Sequence, residues 1–251
     1  MGPLGTSIVV FAIIGAGVFA GAFLRNTLPK HHLANDAKDV VRLGTGLIGT
    51  IAALVLGLLI ASAKSSYDTQ SGEVDRMTVD IIVLDQLLVQ YGPDARRARE
   101  LLRSAVGPLA DRIWRESSAA PAEGRPFEAT AVGETAFAEI LALRADSDPQ
   151  RSLKARAIEV SNDLAQTRLL LFGQSGASIP LPFLAVLVFW LAIIFSSFSL
   201  FSPVNPTLLG ALFVFACSAS GAIFLILELS QPFTGLMQIS SAALRHALPA
   251  L

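Results

Sequence analysis

Charge is absent from most of this 251-residue chain. Residues 1–24 carry no acidic or basic side chain, residues 43–63 carry none, and 169–227 carry none over 59 residues. Of the 39 charged side chains (19 basic, 20 acidic), 31 fall between Lys64 and Arg168. A stable helix through about 30 Å of hydrocarbon takes roughly 20 such apolar residues. Four spans are therefore expected, near 6–24, 43–63, 182–201 and 207–227. A soluble helical insert, 64–180, would separate the second from the third. The mean hydropathy of +0.58 and 53% apolar content agree with that class.

Other absences exclude functions. The net charge is −1, so no basic stripe exists for phosphate and no nucleic-acid partner is expected. The lone cysteine, Cys217, falls in the fourth span and permits no intrachain disulfide. Three histidines, none inside a span, leave little for an enzyme. No nucleophile-plus-base pattern, glycine-rich phosphate loop or H-E-x-x-H motif occurs. No ionisable residue sits mid-span, where a proton-coupled pump or transporter would place one. No catalytic residue, cofactor or metal is expected. His31 and His32, with Asp36 and Asp39, are ligand-type residues at close spacing. Adjacent helical histidines diverge by about 100°, however, and a solvated loop at headgroup level accounts for them better. The first span lacks the basic start and small-residue cleavage site of a signal peptide, so it is expected to be retained.

What is present is patterned. In the second span, Gly46, Thr50, Ala53, Gly57 and Ala61 recur in steps of three and four and so share one helix face. The face continues through Lys64, Asp68, Ser71 and Asp75, becoming polar where the span ends. Small residues at this spacing serve close helix packing; a face that turns polar on leaving the bilayer equally suits a water path. Leu54, Val55, Leu58 and Leu59 on adjoining faces are large enough to form a constriction that gates by dewetting. In a symmetric oligomer both readings hold together, one face packing on a neighbour and the next looking into the axis. Gly17 and Gly21 give the first span its own small-xxx-small face. The fourth span has a polar, small-residue middle at Cys217, Ser218, Ser220 and Gly221.

Between the spans, one helix is expected from about 43 to 91, weakest at Gly72, after a short polar connection from Arg25 to Arg42. Tyr91-Gly92-Pro93-Asp94 reads as a turn. A helix over 93–115 follows, with Arg96, Arg97, Arg99 and Arg103 near its start. An antiparallel hairpin brings them near Asp75, Asp80 and Asp85. These arginines could hold an anionic ligand or lipid headgroups; a solvated face with weak salt bridges is the plainer reading. Another helix is expected near 133–145. Asp148-Pro149 then reads as a cap and first helical position, starting a helix to Phe172. The tail, 231–251, is expected to be interfacial or cytosolic, with Phe233, Leu236, Met237, Leu244 and Leu248 as its apolar side. Basic residues flank both sides of the spans about equally, so charge does not set orientation.

Three stretches carry a family resemblance: HHLANDAKDVVRLGTGLIGTIAALVLGLLIASAKSSYD, QTRLLLFGQSGASIPLPFLAVLVFWLAIIFSSFSLFSPVNPT and GAIFLILELSQPFTGLMQISSAALRHAL. Together they resemble the bacterial bestrophin-like family of membrane proteins. The resemblance covers nearly the whole chain and is weakest over about 105–145. It implies a pentameric anion channel in the bacterial inner membrane, with a pore-lining second helix that extends into a helical cytosolic region. It also implies that both termini and residues 64–180 are cytoplasmic. Two departures stand out. The second span has no aromatic residue, where the bestrophin neck includes phenylalanines. Only Glu228 stands where animal bestrophins carry an acidic calcium clasp, so calcium gating is not inherited. Asp68 and Asp75, partly offset by Lys64, would favour cations over anions at the mouth.

The sequence thus leads to an all-α, four-span protein that forms a symmetric homo-oligomer in contact with membrane lipids and permeating ions. The leading function is an ion channel; the alternative is a non-conducting scaffold or sensor whose insert binds a partner.

Overall fold

Four helices are long and apolar enough to cross a membrane. A computed structural model describes residues 2–29, 35–116, 131–174, 181–202 and 205–248. In chain order the helices are α1 (Pro3–Thr27), α2 (Asn35–Tyr91), α3 (Arg96–Glu116), α4 (Ala131–Ala142), α5 (Asp148–Gln174), α6 (Leu181–Phe201), α7 (Pro206–Leu229) and α8 (Ala242–Arg245). No strand occurs among the described residues. The four spans are α1, the first part of α2, α6 and α7. The chain divides into two units, Met1–Ser66 with Ile179–Ser230 and Tyr67–Ser178 with Gln231–Leu251.

The first unit is organised by small residues. A side chain at Gly17 would meet the backbone oxygen of Ala192 at 2.7 Å, and one at Gly21 would lie closer still to that of Ser196. Residues four apart on α1 thus meet residues four apart on α6, in the same order. The two helices run parallel, with a small-xxx-small face on each. Arg25, one turn further on, donates to the carbonyl of Ser202 just past the end of α6. Val10, Ile14, Ala52, Leu187, Phe195, Leu212 and Ile223 form the buried core, drawn from all four spans. Phe11 and Phe213 meet edge-on, centroids 5.7 Å apart. Helix α7 starts as its sequence dictates: Asn205 accepts from the Leu208 amide at 2.7 Å, and Pro206 takes the first helical position.

In the second unit, Val74, Met77 and Ile81 of α2 pack on Val106, Ala110 and Ile113 of α3 and Leu171 of α5. Leu84, Leu88 and Tyr91 pack on Ala98, Leu102, Ile140 and Val160 further along. Gly92 turns the chain at φ 110°, a conformation that favours glycine, into a 3-10 turn at Pro93–Ala95. The Tyr91 hydroxyl locks that corner by donating to the Arg144 carbonyl at 2.6 Å. Lys154 donates to the carbonyls of Leu141 and Leu143, both at 2.8 Å, closing the end of α4.

Several boundaries differ from the sequence reading. Helix α2 begins at Asn35, so half of the expected polar connection is helical, and it runs unbroken through Gly72. Its 57 residues span roughly 86 Å at 1.5 Å per residue. The cap of α5 is Ser147, one residue before the expected Asp148. Ser147 Oγ accepts from the Gln150 amide at 3.4 Å and Gln150 Oε1 accepts from the Ser147 amide at 3.2 Å. This reciprocal capping box outcompetes Asp148, which pairs with Arg151 instead. The tail, expected to be interfacial or cytosolic, packs within the second unit. Phe233, Ile239 and Leu244 are buried in the second unit's core, while Leu236 and Met237 are exposed. Trp114 fixes it there, donating to the Ile239 carbonyl at 2.9 Å and meeting Phe233 edge-on at 5.4 Å.

Candidate functional site

Helix α2 has two small-residue faces within its span, and only one is used by its own chain. Thr45 and Ala52 are buried, Leu56 and Leu59 are partly buried against the core, and Ala63 is buried. These residues, spaced by three and four along with Gly49, form the inward face. The predicted stripe lies about 100° round the helix from it. Gly46, Thr50, Ala53, Gly57 and Ala61 are all exposed on the single chain. A side chain at Gly46 or Gly57 would meet nothing within 4 Å. Beside the stripe, Leu54 and Leu58 are each 70% exposed and Val55 is half-buried. Leu59, expected among the constriction residues, packs inward instead.

The second span is also the least covered of the four. Among its most apolar residues 11% are buried, against 22% for α1 and 28% for α6 and α7. The uncovered surface is apolar but not inert. Thr50 donates its hydroxyl proton to the Gly46 carbonyl at 3.0 Å, so the oxygen's lone pairs remain turned outward. Near the start of the span, Gly46 and Gly49 border a recess of about 360 Å³ against Ile194 and Phe198, with Lys38 and Arg42 at its rim.

In the second unit, α2 carries the polar continuation. Asp68 and Asp75 are exposed and Ser71 is half-buried, while Lys64 is exposed at the end of the first unit's segment. The buried face of this part of α2 is Gln70, Val74, Met77, Ile81 and Leu84, again offset from the stripe.

The arginine cluster divides: Arg96 and Arg97 are exposed, as on a solvated face, whereas Arg99 and Arg103 turn to Asp85. Asp85, 7% exposed, accepts from Arg99 Nε and Nη2 at 2.8 and 3.1 Å and from Arg103 Nε and Nη2 at 3.0 and 3.2 Å. Burial alone would raise this carboxyl's pKa. The hydrogen bonds from Arg103 and Arg99, with their charges, outweigh it and hold the pKa below the usual carboxylate range. Asp80 is different: burial raises its pKa, Arg76 opposes, the nearby Asp163 raises it further and Arg156 opposes. Of the three acids expected beside the arginines, Asp85 is the one that chelates two of them. No group of three or more metal-ligating side chains occurs among the described residues. His31 and His32 lie outside the described residues.

Four apolar helices, a helical insert and a long second helix that leaves the span define a polytopic helical membrane protein. A bestrophin-like domain matches over residues 11–244, and the chain belongs to the bestrophin-like family. That membership supports an oligomeric ion channel in general terms. Crystal structures of a bacterial bestrophin homolog from Klebsiella pneumoniae share the fold. A tryptophan-to-alanine variant aligns with TM-score 0.71 and 15% identity, covering 97% of this chain and 94% of that one. A tyrosine-to-alanine variant aligns with TM-score 0.66 and 15% identity, covering 94% and 95%. No curated protein gives a significant match.

Proposed function

We propose that this protein is a homo-oligomeric ion channel in which α2 of each subunit lines the pathway. Gly46, Thr50, Ala53, Gly57 and Ala61 form its wall, Leu54, Val55 and Leu58 its apolar constriction, and Lys64, Asp68, Ser71 and Asp75 its polar mouth. The observation that carries the reading is the unused face of α2. The most apolar residues of the second span are the least buried of the four, its small stripe is exposed throughout, and a side chain at Gly46 or Gly57 would meet nothing within 4 Å. A symmetric ring of α2 helices gives that face a role. Five subunits are expected from the family resemblance, which also implies a bacterial inner membrane with the insert in the cytoplasm.

The mouth carries Lys64, Asp68 and Asp75, a net −1 per subunit multiplied by the number of copies around the axis. A ring of that sign concentrates cations and repels anions over a Debye length of about 8 Å at physiological salt. The constriction has no charge and no aromatic residue, so it selects by ease of dehydration rather than by binding.

Purified protein in planar bilayers under a potassium chloride gradient tests both claims. Currents with a reversal potential on the cation side are expected. Replacing both Asp68 and Asp75 by Asn should move that potential toward zero or past it. Silent bilayers from a well-formed oligomer would favour the scaffold alternative. Currents whose reversal potential ignores the double substitution would remove the mouth assignment.

A further inference from the structure

The second unit has a half-open cavity that the proposed conduction pathway does not use. It holds about 220 Å³ between α2, α3, α4 and α5. Its wall is almost wholly apolar, with Ile81, Leu84, Leu102, Val106, Phe137 and Ile140 prominent. None of the stripe, constriction or mouth residues borders it. An apolar recess of this size keeps hydrocarbon surface in contact with water, and covering that surface is favourable.

Among the described residues, the one cation on the lining is Arg168. Its Nε is shielded from solvent and has no hydrogen-bond partner among the described residues, although a guanidinium carries five donors. Burial pushes the Arg168 pKa below its ordinary value, the positive charge of Arg112 adds to this, and Glu134 opposes. Glu134 lines the same cavity but is exposed and forms no ion pair with Arg168 among the described residues. A desolvated cation with an unused donor, set on the wall of an apolar cavity, is a poor structural filler. It complements a molecule with an apolar body and one anionic end.

We propose that this cavity binds a small amphipathic monoanion, its hydrocarbon body among the α2–α5 side chains and its carboxylate on the Arg168 guanidinium. The hydrocarbon covers the apolar wall of the recess and takes it out of water. The carboxylate supplies the acceptor that Nε lacks, in the two-pronged geometry natural to Arg. Neither half of the site would hold the other's ligand: an alcohol leaves the cation unmatched, and a short hydrophilic acid leaves the cavity empty.

Octanoate is the probe, titrated calorimetrically into the full-length protein in lipid nanodiscs, with empty nanodiscs subtracted and 1-octanol as the neutral match. Saturable octanoate binding is expected, tighter than octanol by about tenfold, the scale of one charge-assisted pair. Arg168→Gln should remove that margin while leaving octanol binding unchanged, and Arg168→Lys, which keeps the charge but not the two-pronged geometry, should keep only part of it. Ala136→Leu, which places bulk into the cavity from α4, should weaken both ligands. The proposal is overturned by heats no larger than those of empty nanodiscs, by equal affinity for acid and alcohol, or by octanoate affinity that ignores Arg168→Gln. Should Arg168→Gln fail to fold, Arg168→Lys and Ala136→Leu decide: octanoate affinity unmoved by Ala136→Leu overturns the proposal.

Discussion

Replacing Asp85 by Ala removes the acceptor from a four-bond chelate formed with Arg99 and Arg103. Asp85 is nearly buried and the Arg103 side chain is 11% exposed, whereas that of Arg99 is 32% exposed. Breaking a buried pair costs about 3–5 kcal/mol, mostly because a charge stays behind without its counterion. Arg99 can turn to solvent, so the low end, about 3 kcal/mol, applies here. At 2–4 °C per kcal/mol for a chain of this size, the midpoint should fall by roughly 6–12 °C. The assay is thermal unfolding of the detergent-solubilised oligomer at one scan rate, since such proteins unfold irreversibly. The charge account makes a second demand: replacing Asp85, Arg99 and Arg103 together by Met should restore most of the loss. A single variant within about 2 °C of the parent, or a triple variant as damaged as the single, would refute the reasoning. Acid should weaken the chelate too. Its carboxyl's pKa is lowered by folding, so its contribution is present above the unfolded value and is lost as pH falls through the folded one.

Other consequences follow from the same geometry. Gly21→Ala would drive a methyl group into the Ser196 carbonyl, and overpacking of this kind costs about 1–3 kcal/mol; differential scanning fluorimetry should show the loss, and an unchanged midpoint would contradict the close approach of α1 and α6. Asp80 has a pKa raised by folding, so its protonated form is the stable one and that stability is lost as pH rises through the folded value. Asp80→Asn, which never ionises, should therefore raise the midpoint at pH 7.5 and lose that advantage toward pH 4; a difference constant with pH would exclude the titration account. Ser147→Ala breaks the capping box of α5 and should cost about 1 kcal/mol, read from the same melts; a neutral result would show that Gln150 caps the helix unaided.

The segregation of charge located all four spans because hydrocarbon imposes a length and a composition that no other environment does. Local chemistry was equally legible where one residue decides the outcome, as at Gly92. Position within the tertiary structure was not. The sequence puts Thr45, Ala52 and Ala63 beside Gly46, Ala53 and Gly57, and both sets are small and evenly spaced. Hydropathy cannot tell which faces inward, because lipid tails are as apolar as a protein core. Asp85 was one of three acids facing four arginines on paper. Its selection depends on burial between α2 and α3, and burial is what turns a weak surface pair into a strong local constraint. The tail stayed open between two readings, interfacial or cytosolic, for a related reason: Phe233, Ile239 and Leu244 suit a bilayer surface and a protein core equally well.

Glycine separates the two roles a small helical face can have. Gly17 and Gly21 are required by the α6 backbone, which leaves no room for a methyl group. Gly46 and Gly57 have open space around them in their own chain, yet each costs about 1 kcal/mol of helix stability relative to alanine. An unforced cost of that size fits a neighbour that approaches only in the assembled oligomer, or an axis whose width depends on the missing methyl. Gly57→Ala distinguishes them. If a neighbouring backbone lies against Gly57, the substitution splays the subunits, and light scattering coupled to size exclusion should report a smaller assembly. If Gly57 faces the axis, the oligomer should stay intact, melt slightly higher from the gain in helix propensity, and carry a smaller single-channel current. An intact oligomer with unchanged current would place the stripe against lipid and remove α2 from the pathway.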